Sequence, residues 1–347
     1  MDQLCLRLQE WSGNWVDVDD WPAASLQLCG RAGVYRWFLP ESKGGFGWSE
    51  EDQTRGYLRL AEADLTTTFV ITQSMGAIRR IAGSENSEII HSWLSRLVQG
   101  DAFGTVGISH LTTSRQHLNR PALRATETAD GFVLQGLSPW VTGAPHADVY
   151  VTGATTDDGR EILAAVPATA PGIRSGPGFD LVALSASCTD RVEFDDVQID
   201  RSMLLAGPIE NVLQSGIGAR TGGLQTSTLA LGLARAAVNY LADEATSRDD
   251  LREATNELTR ELDQLEAMLL RATGGDADCD ASDIRGAANR FVLRTTQAAM
   301  TAAKGAGFVE GHPVGRWCRE ALFFLVWSCP QPVAQAHLCE LAFGVQD

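Results

Sequence analysis

Trp140 and Thr142 lie two residues apart at the end of a strand-like run. An indole offers a flat apolar wall and a threonine hydroxyl offers a hydrogen bond to a ring edge. A planar heteroaromatic ring needs both. Gly305 and Gly307 form a Gly-x-Gly pair, and glycine lets a backbone approach a diphosphate with no Cβ in the way. The imidazole of His110 can act as acid or base near neutral pH. Cys329, beside Ser328, becomes a nucleophile only if its thiolate is stabilised. Each feature also has a bland reading. Trp-x-Thr is ordinary core packing, Gly-x-Gly is a turn, a histidine bonds to backbone or water, and a cysteine is a small buried hydrophobe. No metal centre is expected, because His312 and His337 have no second ligand at metal spacing. Phosphate-loop, zinc-protease, nucleophile-elbow and EF-hand patterns do not occur.

These residues need elements to position them. Up to about residue 100 the pattern is helical. Tyr57, Leu58, Leu60 and Ala61 fall at helical spacing behind Ser49, a suitable N-cap followed by acids. Ile89, Ile90, Trp93, Leu94 and Leu97 mark another helix, which Gly100 stops. Between them, Pro40, Gly44, Gly45 and Gly47 demand a loop. From 101 to 205, β-branched residues and turn signals dominate. The runs 104–109, 131–142, 147–154, 162–168 and 190–199 read as strands of a small barrel or sandwich. From 206 to 347 helical periods return, over 224–247, 251–272 and 289–303, with a further helix from about Val314 and an acidic loop at 273–283. The expected order is an N-terminal helical domain at 1–100, a central β domain at 101–205 and a C-terminal helical bundle at 206–347, an α+β multidomain architecture.

The chain has 347 residues, long enough for two or three cores. Its 44% hydrophobic and 21% charged content excludes a dominantly disordered or fibrous chain. The net charge of −16 repels phosphate backbones, so no nucleic-acid partner is expected. Seven scattered cysteines with no CxxC pair favour a reducing cytoplasm over a disulfide scaffold. No apolar run reaches the roughly 20 residues of a membrane span, and the first residues carry no signal-peptide pattern.

Five segments in order resemble the acyl-CoA dehydrogenase family: LPESKGGFGWS (39–49), GLSPWVTGAPHADVYVTGA (136–154), ALSASCTDRVEFDDVQIDRSMLLAG (183–207), ALGLARAAVNY (230–240) and KGAGFVEGHPVGRWCREA (304–321). The resemblance implies a fold of N-terminal helical domain, central β domain and C-terminal four-helix bundle. It also implies FAD as cofactor, a homodimer or homotetramer, and a small-molecule substrate, an acyl thioester or related compound. By the same resemblance Trp140 and Thr142 pack beside and hydrogen-bond the flavin ring, Ile108 and Ser109 touch it from a strand end, and Gly305 and Gly307 admit the ADP portion. His110 then falls next to the flavin edge.

The chain departs from the family where the chemistry is done. The family's α-proton base is a Glu in a turn that aligns with Trp327–Pro330, and Ser328 stands in its place. A serine hydroxyl is too basic when ionised to do that work unaided. The alternative Glu position falls near Gly222, and the Arg usual nearby falls on Gly223. Arg248 stands one turn from the family's FAD-reaching Arg; Pro330 and Pro332 replace a Thr and a Gln; and of the flavin loop 109–116 only Ser109 keeps its chemistry. Glu320 and Glu340 are the nearby carboxylates that could replace the lost base. Three readings stay open: a FAD-dependent α,β-dehydrogenase, a flavin oxidase or monooxygenase on the same fold, and an inactive binding or scaffold relative.

Overall fold

The computed structural model describes residues 1–112, 121–215, 223–328 and 331–343. Its helices are α1 (Asp2–Trp11), α2 (Ala23–Arg31), α3 (Glu50–Ala63), α4 (Leu65–Gly83), α5 (Ser87–Ile89), α6 (Ser95–Gln99), α7 (Ser109–Thr112), α8 (Leu224–Ala245), α9 (Arg252–Thr273), α10 (Ala281–Ala303), α11 (Pro313–Leu322) and α12 (Gln331–Phe343). Its strands are β1 (Gly104–Gly107), β2 (Leu123–Glu127), β3 (Gly131–Val141), β4 (Val149–Thr156), β5 (Glu161–Pro167), β6 (Ile173–Ser175), β7 (Asp190–Asp200) and β8 (Leu204–Ile209). Two compact units share the chain. A helical unit takes residues 1–14, 49–68 and 222–347, and a β unit takes 15–48 and 69–221. No described helix is long and apolar enough to cross a membrane.

The helical unit is built on α8, whose first two turns are buried on nearly every side. Ser49 caps α3 by accepting the Asp52 N–H, with three acids in the first turn. Helix α3 approaches α8 so closely that a Cβ on Gly232 would lie 2.7 Å from the Leu58 carbonyl oxygen. Glycine is therefore required at that crossing. Helix α9 is joined to α8 by the Arg235–Glu266 pair, with Nε and Oε1 2.9 Å apart. Burial raises the pKa of that carboxyl, and the Arg235 hydrogen bonds oppose the rise.

The β unit holds one connected mixed sheet. Its order is β6-β7-β3-β2-β4-β5-β8, with β1 added parallel to β4. Phe132, Leu134, Tyr150, Ile162, Val192 and Phe194 fill its core. Strand β3 carries the feature that matters for function. Its register against β7 slips between Ser138 and Val141, where Pro139 cannot donate to the ladder. The result is a bulge that throws Trp140 into the left-handed region at φ 57°.

Candidate functional site

The bulge turns Trp140 out of the sheet and leaves its side chain 55% exposed. Two contacts fix it. Ser109, just past β1, donates its hydroxyl to the Pro139 carbonyl at 2.8 Å, and Phe179 meets the indole edge-on at 5.7 Å. An open cleft of about 270 Å³ lies on Phe179, rimmed by Arg174, Arg191 and Glu193 with buried Asp190 behind. Ile108 is buried beneath the same strand end. Thr142 is buried as well. Its Oγ1 accepts from Thr189 at 3.2 Å, and Thr189 pairs with Ser187 at 2.8 Å. The structure thus brings Ser109 and Trp140 together at one open edge and turns Thr142 inward.

His110 is 8% exposed, with Nε2 2.8 Å from the Gly153 carbonyl oxygen. A carbonyl only accepts, so Nε2 carries the proton and Nδ1 is a bare lone pair with no partner among the described residues. Burial lowers the imidazole pKa, and the Gly153 bond only partly opposes this. The Nε2 bond fixes the ring of His110 to β4. Residues 113–116 of the flavin loop, Gly222, Cys329 and Pro330 lie outside the described residues, as does the side chain of Pro332.

In the helical unit, Ser328 ends a turn with its side chain exposed and its backbone at φ 44°. Arg285 of α10 donates to the carbonyls of Phe324 at 3.2 Å and Trp327 at 2.7 Å. Asn289 donates to Phe324 O at 2.9 Å and contacts His337 Nε2 at 3.1 Å. An amide nitrogen donates, so His337 accepts at Nε2 and presents Nδ1–H towards Glu340, 3.5 Å away. Glu340 also binds Arg290 at 2.9 Å. Glu320 is 3% exposed and pairs with Arg316 at 3.5 Å, while Arg316 reaches Ser12 at 3.0 Å. Burial raises the Glu320 carboxyl to about 7, with Arg316 opposing and Asp64 adding to the rise. Both alternative carboxylates are therefore committed to ion pairs within the helical unit.

The glycine pair divides. A Cβ on Gly305 would meet nothing within 4 Å, whereas one on Gly307 would lie 2.8 Å from Met300 Sδ. Gly305 is open to a ligand, and Gly307 is demanded by packing onto α10. Ahead of them Lys304 stands at φ 54°, ψ −143°. A non-glycine residue held in such a conformation costs on the order of 1–3 kcal/mol, while a cation at a helix C-terminus contributes about 0.3–1 kcal/mol. Arg248 already occupies that helix end, donating to Ala302 O at 2.7 Å and pairing with Glu244 and Asp250. The Lys304 strain and the Arg285 clasp were not foreseen from the sequence. Only the Pro139-Trp140 dipeptide within a strand pattern signals the bulge. No cluster of metal-ligating side chains occurs among the described residues.

No protein-family model matches the chain. Among curated proteins it is similar to the probable acyl-CoA dehydrogenase YngJ of Bacillus subtilis, 22% identical over 325 residues, covering 87% of this chain and 85% of that protein. It is 24% identical over 330 residues to the mitochondrial short-chain specific acyl-CoA dehydrogenase of Bos taurus, covering 86% and 77%. Among solved structures, a glutaryl-CoA dehydrogenase from Mycobacterium smegmatis in complex with FADH2 superposes with a TM-score of 0.82 at 18% identity, covering 100% of this chain and 95% of that one. The chain has the acyl-CoA dehydrogenase fold, and the sequence resemblance to that family is supported.

Proposed function

We propose that this chain, built on the acyl-CoA dehydrogenase fold, is a FAD-dependent oxidoreductase acting on an acyl thioester or a related α-CH carbonyl compound. The observation that carries the reading is Trp140. A half-exposed indole, forced outward by a bulge and braced by Ser109 and Phe179, is a ready wall for a flat ring. The similarity to acyl-CoA dehydrogenases supports the substrate class, and the likeness to a structure titled with FADH2 supports the cofactor.

When bound, FAD supplies the hydride acceptor. In the β unit the Ser109–Pro139 bond holds the bulge, and Trp140 would offer its indole to the ring; in the helical unit Gly305 has open space where a side chain would stand. His110 holds its Nε2 proton on the Gly153 carbonyl, which leaves Nδ1 as the nitrogen able to take a proton. The α proton is the unserved step, because Ser328 carries no carboxylate and Glu320 and Glu340 are engaged elsewhere. That same observation favours a second reading, a flavin oxidase or monooxygenase that needs no α-proton base, or a relative that binds without turning over. Anaerobic mixing of FAD-loaded protein with acyl-CoA thioesters separates them. Loss of flavin absorbance supports the dehydrogenase, and an unchanged spectrum contradicts it.

The six described cysteines are all free, which supports a reducing compartment such as the cytoplasm. Exposed Phe308, Val326, Leu338 and Leu341 support assembly into a homodimer or homotetramer.

A further inference from the structure

We infer that Asn289 and His337 form a proton-operated catch on the turn 323–328, closed while the His337 imidazole is neutral and opened when its Nε2 takes a proton. The catch lies wholly within the helical unit and stands whether or not the chain carries a flavin.

Asn289 is fully buried on α10, and its surroundings fix which way its amide points. The Phe324 carbonyl, 2.9 Å away, only accepts, so the amide nitrogen faces it. The second N–H of that nitrogen points to His337 Nε2 at 3.1 Å, which accepts with its lone pair. The amide oxygen is left buried with no partner among the described residues, an arrangement that costs stability. That oxygen has a use once Nε2 is protonated. Two N–H groups then face each other, and turning the amide over brings its oxygen onto the new Nε2–H. The same rotation sets two acceptor oxygens at the former Asn289–Phe324 contact, so the Phe324 carbonyl must withdraw. Arg285, at 3.2 Å, is then its remaining side-chain donor among the described residues. The described groups around the imidazole are Asn289 at Nε2 and Glu340 at Nδ1, 3.5 Å away. Glu340 is itself paired with Arg290, and Arg285 is the further charge at the Phe324 carbonyl. The turn so released carries Ser328, whose backbone stands at φ 44°. Acid therefore frees the segment on which Ser328 is held.

The test is hydrogen–deuterium exchange of the full-length protein at about pH 8 and about pH 5, the range over which an imidazole gains its charge, with rates corrected for intrinsic exchange. The amides of Val326 and Trp327 bond to the Phe323 carbonyl at 3.1 and 2.9 Å and report on the turn. Their protection should fall about fivefold in acid, the loss of one hydrogen bond. His337→Gln keeps an acceptor for Asn289 but takes no proton, and should hold the high protection at both pH values. Asn289→Ala removes the catch and should show the low protection at both. A purely structural contact would lower protection in Asn289→Ala too, but would leave the fall with pH in place. Glu320, the buried carboxyl on α11, works in the opposite sense, because its stabilising contribution is greatest in acid. Equal protection of the wild type at the two pH values overturns the inference, and so does an undiminished fall in either variant.

Discussion

Ser109 donates its hydroxyl to the carbonyl of Pro139 at 2.8 Å, and this one bond ties the end of β1 to the bulge that presents Trp140. The two residues are thirty positions apart in sequence. The geometry of the exposed indole thus depends on a side chain from the first residue of α7, outside β3. Ser109→Ala is expected to cost about 1 kcal/mol of stability and to weaken FAD binding. Trp140→Ala should leave stability nearly unchanged, since the indole is half exposed, yet weaken flavin binding more. Urea unfolding and FAD titration of the two variants check this. Equal flavin affinity in both and in the wild type would contradict it.

Glu320 makes stability pH-dependent. Its carboxyl sits among Arg316, Arg319 and Asp64, and burial raises it from 4.5 to about 7. A raised carboxyl pKa means that the folded state holds its proton more tightly than the unfolded chain. Its stabilising contribution is complete below pH 4.5 and is lost as pH rises towards 7. The loss is on the order of 3 kcal/mol. Glu320→Gln should flatten the stability profile across that window in denaturant titrations at stepped pH. An unchanged slope in the variant would assign the dependence to other groups.

Ser328 stands where a carboxylate would draw the α proton. Ser328→Glu restores one on a turn already clasped by Arg285, and glutamate at φ 44° is no more strained than serine. The variant should reduce bound flavin with acyl-CoA at least about 100-fold faster than the wild type, the usual lower range for a positioned general base. Anaerobic stopped-flow absorbance reads this directly. Equal rates would mean that Ser328 does not face the reacting carbon.

Gly232→Ala tests the α3–α8 crossing. The new Cβ would press on the Leu58 carbonyl oxygen and the Ala61 Cβ, both at 2.7 Å. A destabilisation of about 1–3 kcal/mol is expected from overpacking. Calorimetry would show it as a lower melting temperature with the flavin site still loadable. An unaltered melting temperature would mean that the helices can part without cost.

What the sequence made legible was local. Ser49 caps α3 and Gly100 ends α6 in the left-handed region, as their residue types indicate. Helices α8 and α9 follow their apolar periods to within two residues. Strands β2, β6 and β8 escaped because β2 exposes polar side chains, β6 is three residues long, and β8 contains Gly207 and Pro208. The strand order escaped because β1 and β2 both pair in parallel with β4, a relation no local pattern encodes. At the site, residue types pointed to Trp140, but its exposure depends on a bulge and on Ser109. Thr142 shares the motif yet faces inward, because Thr189 from β7's neighbourhood claims its hydroxyl. The clasp of Arg285 on Trp327 spans 42 residues and leaves no trace in spacing.

The central claim is that this chain holds a flavin against Trp140. The most direct test is the absorbance of purified protein incubated with FAD and then desalted, read from about 300 to 550 nm where flavins absorb. The structure leads us to expect both flavin bands at close to one cofactor per chain, markedly diminished in Trp140→Ala. Wild-type protein that emerges colourless after loading and desalting would contradict it.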